Sequence, residues 1–177
     1  MNAKLTFLTL AIVAAVAGVH AQSPRQRSGV AVTLDNFNRA ESDRVFASIV
    51  NDGGLGKFVH NSLPMSTDLP IGRPNWDTLY SRAVFDLDAG PVSITLPDAG
   101  QRFMSMQVID EEQYTPAVYY GGGNYILRRE QIDTRYVSVG VRILVDPLSV
   151  KDMQQVHALQ TAITVSQKSS GTFEIPH

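Results

Sequence analysis

The spacing of apolar residues changes along the chain, and each change marks a predicted element. Over residues 33–50 apolar side chains recur at helical spacing between charged ones, at Phe37, Ala40, Val45 and Ile49. Thr33 or Asp35 is placed to cap this helix, and the glycines of NDGGLG end it. The pattern predicts an N-terminal helix, followed by a proline-containing irregular segment over residues 57–75.

From residue 79 the period becomes two, which is typical of strands with one buried face. The inward set of the first strand is Leu79, Ala83, Phe85 and Leu87, and the segments PVSITLP, RFMSMQVID, AVYY, NYILRR and RYVSVGVRILV continue the strand pattern. Asp-Ala-Gly turns at residues 88–90 and 98–100 separate neighbouring segments, because Asp bonds nearby backbone and Gly accepts positive φ. Short strands at about 8–12-residue spacing predict an antiparallel β-sandwich or barrel.

Residues 146–165 return to helical spacing and predict a second helix, with apolar positions at Val150, Met153, Val156 and Leu159 or Ile163. Ser149 is placed to cap it, and Asp152 occupies the position of a capping-box carboxylate. The sequence therefore predicts one domain over residues 33–165. Residues 166–177 are assigned to a linker and the start of a truncated second domain.

The first 21 residues have the pattern of a secretory signal peptide. A single charge at Lys4 precedes an apolar run over residues 5–19, and small residues stand at the two positions that cleavage after Ala21 requires. The run is shorter than the roughly 20 residues of a membrane-spanning helix. We expect a flexible lead-in over residues 22–32, a periplasmic or secreted location, and no membrane association after cleavage.

The composition argues against several classes of function. The chain has no cysteine, which excludes disulfides, thiolate catalysis and zinc–thiolate or iron–sulfur centres. Its net charge of −2 and the lack of a basic stripe predict no nucleic-acid partner. There is no G-x-S-x-G elbow, and GGLGKF is not a phosphate loop because Phe58 stands where Ser or Thr is required. No pattern identifies a cofactor, and the separated His60, His157 and His177 predict no metal site. An oxygen-ligand site built from Asp77 and Asp110 stays an alternative.

The segment PNWDTLYSR holds the densest group of polar side chains and allows two interpretations. As a site, Asp77 acts as a base or ligand while Tyr80 and Arg82 fix the oxygen atoms of a substrate. Asn75 and Trp76 would then add contacts to a ligand. As architecture, Asn75 and Asp77 cap the backbone where the strand begins.

Asp110, which ends the segment QVID, has the same two interpretations. It joins Asp77 and Arg82 in a hydrolase-type site with Tyr114 as a ligand contact, or it pairs with Arg82. Asp86 is the other carboxylate available to that arginine. The remaining aromatic residues either line a ligand cleft or pack in the core, namely Tyr119, Tyr120, Tyr125 and Phe103, together with Trp76.

Five segments in order resemble the exported bacterial proteins known as domain of unknown function 1254: DNFNRAESDRVF, NWDTLYSRAVFDLDAGPVSITLPDAGQRFMSMQVIDE, TPAVYYGGGNYIL, TRYVSVGVRILVDP and VHALQ. The resemblance covers about residues 32–165. It implies an immunoglobulin-like β-sandwich with flanking helices. In relatives this domain is usually followed by a jelly-roll domain known as domain of unknown function 1214, which we expect to be missing from this chain. One departure is Trp76, where the family motif N-R-D-T-L-Y-S has arginine. The resemblance does not indicate which function the protein performs.

Three functions are therefore expected as alternatives. The first is a ligand-binding or accessory module for a small molecule, and the second is a hydrolase whose site a second domain completes. The third is a structural domain that packs against a second β-rich domain or subunit through an exposed apolar patch.

Overall fold

The computed structural model describes residues 29–64 and 75–175 of the chain. The predicted signal peptide (residues 1–21), most of the predicted lead-in and His177 lie outside these ranges. Within them, no helix combines the length and apolar character that crossing a membrane requires.

Strands dominate the described part of the chain. The helices are α1 (Phe37–Asn51), α2 (Arg129–Ile132) and α3 (Val150–Thr161), and a 3₁₀ turn spans Leu87–Ala89. The strands are β1 (Val59–His60), β2 (Thr78–Asp86), β3 (Val92–Leu96), β4 (Met104–Asp110), β5 (Ala117–Tyr120), β6 (Gly123–Leu127), β7 (Tyr136–Leu144) and β8 (Thr164–Ser166). Every segment with period two forms a strand, which confirms the prediction of a mainly β chain.

The N-terminal helix begins later than its pattern predicts. Its N-cap is Asn36, so the expected caps, Thr33 and Asp35, are wrong. The amide oxygen of Asn36 accepts a hydrogen bond from Thr33 N at 2.7 Å, which uses the side chain to close the preceding turn rather than the helix.

The second long helix starts as predicted and ends early. Ser149 caps it, because its Oγ accepts a hydrogen bond from Asp152 N at 3.2 Å. The predicted end at residue 165 is wrong, since the helix stops at Thr161 and residues 164–166 form β8. β3 has an edge to which this short segment pairs, and that pairing replaces the last helical turn.

The strands form two antiparallel sheets. The five-stranded sheet has the order β1-β2-β7-β4-β5, and the three-stranded sheet has the order β6-β3-β8. β7 is central and fully buried on its inward side, at Val137, Val139, Val141 and Ile143. These residues share one core cluster with the inward residues of β2, β3 and β4, so the core lies between the sheets. The immunoglobulin-like arrangement stays a prediction.

The opposite side of the five-stranded sheet is only partly covered. α1 packs on one end of it, where Phe46 and Ile49 contact Val84 and Tyr136. Residues paired across neighbouring strands point to the same side of a sheet. Beyond α1, this side therefore carries two rows, Tyr80–Arg142–Ser105–Tyr120 and Arg82–Gly140–Gln107–Val118. We call these two rows the outer face.

The last described residues, 171–175, return to the end of the sheet near α1, and we call them the C-terminal strap. Thr172 N donates to Asp86 Oδ2 at 3.2 Å, and the ring of Phe173 lies 4.9 Å from that of Tyr136. Gly171 has a φ of +68°, and a side chain there would collide with the Asp86 carboxylate. The strap belongs to the segment over residues 166–177 and packs against this domain. The assignment of that segment to a linker and the start of a second domain stays a prediction.

Candidate functional site

The polar segment that begins β2 has the geometry of the architectural interpretation at Asn75, whereas Asp77 takes part through its backbone. Asn75 Oδ1 accepts a hydrogen bond from Asp77 N at 2.9 Å, and Asp77 O accepts one from Val145 N at 2.8 Å. The amide of Asn75 also donates to the hydroxyl of Tyr80 at 3.4 Å. Asn75 therefore starts the strand and orients Tyr80, while the side chain of Asp77 is exposed.

The three predicted catalytic residues do not come together. Asp77 precedes the first residue of β2, whereas Asp110 lies level with Phe85, near the opposite end of that strand. A rise of about 3.3 Å per residue separates the two levels by about 26 Å. The carboxylate of Asp110 accepts hydrogen bonds from Glu112 N and Tyr114 N, at 2.9 and 2.8 Å, and so it holds the turn after β4.

The expected partners of Arg82 are also wrong. Asp86 pairs with Arg135, which donates to both carboxylate oxygens, at 3.1 and 2.9 Å. Burial opposes the charge on Asp86, but the hydrogen bonds from Arg135 and from Thr172 N outweigh it and lower the pKa of Asp86. Arg82 instead lies 3.7 Å from Asp52, at the C-terminal end of α1, in a partly exposed ion pair.

Two arginines of the outer face are neighbours on adjacent strands. Arg82 on β2 stands opposite Gly140 on β7, and Arg142 follows Gly140 by two positions on the same side. Diagonal neighbours of this kind lie roughly 7–8 Å apart at Cα, within reach of long side chains. Ser105 on β4 stands directly opposite Arg142, and Gln107 directly opposite Gly140. The cations thus share one small area of the sheet.

Several polar atoms of this area are buried and have no hydrogen-bond partner among the described residues. They are Arg82 Nε, Arg142 Nε, Ser105 Oγ and Thr78 Oγ1, all on the outer side of the five-stranded sheet. Ser105 is completely buried. Leaving a buried polar group unpaired costs about 1–3 kcal/mol, so such groups usually meet a partner. Their concentration on one face marks it as the candidate site.

The aromatic residues fall into two sets. Tyr119 and Tyr125 pack together on the core side, with ring centroids 4.4 Å apart. Phe103 and Tyr120 meet edge to face at 6.2 Å, and Tyr120 is 67% exposed at the end of the Arg142 row. Of these four residues the cleft hypothesis therefore keeps only Phe103 and Tyr120, and Trp76, which is 48% exposed, stays a candidate. Of the predicted ligand contacts, Tyr80 lies on the outer face, whereas Tyr114 lies in the turn beside Asp110.

Histidines contribute no metal cluster, since no group of three or more His, Asp or Glu side chains within residues 29–64 and 75–175 is arranged to hold an ion. His157 Nε2 contacts Ser62 O at 2.9 Å. His60 Nδ1 lies 2.8 Å from Ser81 Oγ, which is the spacing of a base and a nucleophile. Ser81 is only 1% exposed, so this pair joins β1 to β2 rather than meeting a substrate.

Arg142, Ser105 and Gly140 are absent from the site residues expected from sequence. Alternation along β7 places Gly140 and Arg142 outward, but it does not say which strands lie beside them. Their proximity to Arg82 and Ser105 follows from the insertion of β7 between β2 and β4. No local pattern carries that information.

Comparisons with known proteins bear on the family and the fold. The family model described as "Protein of unknown function (DUF1254)" matches residues 55–167. The crystal structure of the VPA0106 protein from Vibrio parahaemolyticus superposes with a TM-score of 0.58 at 18% identity, over 79% of this chain and 39% of that one. This chain thus spans about two fifths of that protein, and at such identity the likeness concerns the fold alone. No curated protein matches the sequence.

Proposed function

We propose a function for a chain that belongs to the DUF1254 family of proteins of unknown function: its outer face binds a small molecule that carries a negative charge. The observation that supports this proposal is the pair of neighbouring arginines whose Nε atoms are buried and have no partner within residues 29–64 and 75–175. In line with the expected signal peptide, we place this binding in the periplasm or outside the cell.

An anion would supply what these side chains lack. A guanidinium presents several donors in one plane, and a carboxylate or phosphate oxygen can accept two of them at once. A modest rotation of the long arginine side chains would turn the unpaired donors toward a ligand on the sheet.

Thermal denaturation with a panel of small anions tests this proposal. Benzoate, citrate and inorganic phosphate are compared with chloride at matched ionic strength, because a ligand that binds only the native state raises its Tm. At least one anion should stabilise the wild type, and Arg142→Met should abolish the effect. Arg44→Met is the matched control, since Arg44 is a well-exposed cation paired with Glu41 on α1. Equal stabilisation of all three proteins, or of none, refutes the proposal.

A second candidate function is packing against a second β-rich domain or subunit. The observation that favours it is a group of exposed apolar side chains on the same side of the five-stranded sheet, namely Phe103, Val118, Tyr120 and Leu144. Sedimentation equilibrium tests the subunit form of this candidate. The mass should rise with concentration, and Tyr120→Ser should reduce that rise; a constant monomer mass counts against it.

The hydrolase hypothesis has no comparable support. Its two acids, Asp77 before β2 and Asp110 at the end of β4, lie about 26 Å apart along the sheet, and Asp110 is already bonded to backbone amides. We therefore do not propose an enzymatic reaction.

A further inference from the structure

Gly140 occupies an unusual place for a glycine. It lies in the middle of β7, the central strand, where a glycine weakens a strand by about 0.5–1 kcal/mol relative to alanine. Its backbone does not have a positive φ, so any residue would fit the conformation. A Cβ added there would meet no heavy atom of residues 29–64 and 75–175 within 4 Å. Neither backbone strain nor crowding therefore explains the missing side chain.

The open space above Gly140 is surrounded by polar side chains. Arg82 and Gln107 stand opposite it on the two neighbouring strands, and Ser138 and Arg142 lie two positions away along β7. We call this space the Gly140 hollow. Its floor is bare backbone, and glycine within a strand often marks a place where a ligand approaches closely.

We infer that the Gly140 hollow holds the anionic group of the ligand and that this group is a monocarboxylate. This inference rests on the proposed function of the outer face. The charges support a monoanion, because Asp52 lies 3.7 Å from Arg82 and leaves one net positive charge among Arg82, Arg142 and Asp52. A phosphate carries about −1.5 to −2 at neutral pH and exceeds that charge.

The surroundings of the hollow indicate the rest of the ligand. The row next to Gly140 begins at Tyr80 and ends at Tyr120, which contacts Phe103. Aromatic rings of this kind offer flat apolar surface with a polar tip, and they suit an aromatic or other apolar body. The ligand class is thus a small carboxylate attached to an aromatic or apolar group.

An amide NMR titration tests the carboxylate and its position separately from the proposed function. The probe is benzoate, benzamide is its neutral equivalent, and inorganic phosphate is the dianionic competitor. Benzoate should shift the Gly140 amide and its β2 and β4 neighbours, benzamide should not, and phosphate should bind more weakly. Gly140→Ala should weaken benzoate binding at least about tenfold, while its Tm stays equal or rises.

The outcomes separate the two claims. If benzoate binding is lost in Arg142→Met but unchanged in Gly140→Ala, the outer face binds anions and the assignment of the hollow is wrong. If phosphate binds more tightly than benzoate, the monocarboxylate assignment is overturned. If no anion shifts any outer-face amide in the wild type, the proposed function itself fails. Arg44→Met, whose mutated side chain lies on α1, should bind benzoate as the wild type does.

Discussion

Replacing Asp86 by alanine removes the side chain that ties the C-terminal strap to the sheet. The carboxylate of Asp86 is 3% exposed and accepts four hydrogen bonds. Two come from Arg135, one from Thr172 N and one from Asp88 N, at 2.9–3.2 Å. The substitution therefore leaves two backbone amides without their acceptor and removes the buried carboxylate from Arg135, which keeps Thr172 Oγ1 as an acceptor at 3.0 Å.

The expected loss of stability is about 3 kcal/mol. Each backbone amide left unpaired in a partly buried position costs about 1 kcal/mol. The ion pair adds about 1 kcal/mol, because the side chain of Arg135 is 36% exposed and water can replace its partner. A loss of this size lowers the Tm of a chain of this length by about 6–12 °C.

Asp88→Ala is the matched control for this experiment. Asp88 is 53% exposed and lies 3.2 Å from Arg129 and 3.7 Å from Arg135. Exposed ion pairs of this kind contribute no more than about 0.5 kcal/mol to the free energy of unfolding. The Tm of Asp88→Ala should therefore stay close to that of the wild type. Urea unfolding gives the difference in unfolding free energy between two proteins directly when the dependence of that free energy on urea concentration is the same for both.

Two further readouts connect the loss to the strap. Chymotrypsin should cleave after Phe173 faster in Asp86→Ala than in Asp88→Ala, because the ring is less firmly held against Tyr136. The stabilisation from Asp86 is present above its unfolded pKa, about 3.9, and is lost as pH falls through its lowered folded pKa. The difference in unfolding free energy between the wild type and Asp86→Ala should therefore become smaller in strong acid. Equal unfolding midpoints for the two variants at pH 7 would refute the reasoning.

Three other substitutions have defined outcomes. Ser149→Ala removes the N-cap of α3 and should cost about 1 kcal/mol in thermal denaturation; no change would mean that another group caps the helix. Burial lowers the pKa of His60, so its stabilising contribution is present above the unfolded pKa of about 6.5 and is lost as pH falls below it. The Tm should thus drop between about pH 7.5 and 5.5, and less in His60→Gln; identical profiles contradict this. Asp52→Asn removes a competitor for Arg82 and should raise benzoate affinity up to about fivefold in calorimetry, with a larger gain for phosphate; lower affinity for both would contradict the charge argument.

The secondary structure could be predicted because it depends on local period. The alternation of β2 and β7 assigns the sides that face the core between the sheets, and Ser149 marks a helix start. It does not predict that Val84, on the other side of β2, is also completely buried, because α1 covers it. β8 could not be found this way, since three residues after a helix have no period of their own and form a strand only because β3 offers an edge. The sequence does not distinguish Asn36 from Thr33 and Asp35 as the N-cap of α1, because all three side chains can cap a helix.

The candidate site depends on strand order, which local patterns do not contain. The segment before β2 predicts a site because its polar residues are adjacent in sequence. In the structure, however, Asp77 and Asp110 lie about 26 Å apart along the sheet. Arg82 and Arg142 are far apart in sequence and become neighbours through pairing of β2 with β7. Only Tyr80 and Arg82 belong both to the predicted site and to the outer face.

The position of β7 also determines when this domain can fold. β7 lies between β2 and β4 in the sheet but follows both along the chain. Until residues 136–144 have been synthesised, β2 and β4 expose apolar faces and unpaired edges that cannot join each other in the native arrangement. Pairing across such long loops is slow, and exposed edges invite aggregation. A nascent chain interrupted before β7 would therefore remain a substrate for chaperones and proteases. The five-stranded sheet can be completed only after β7, its last strand to be synthesised, is available.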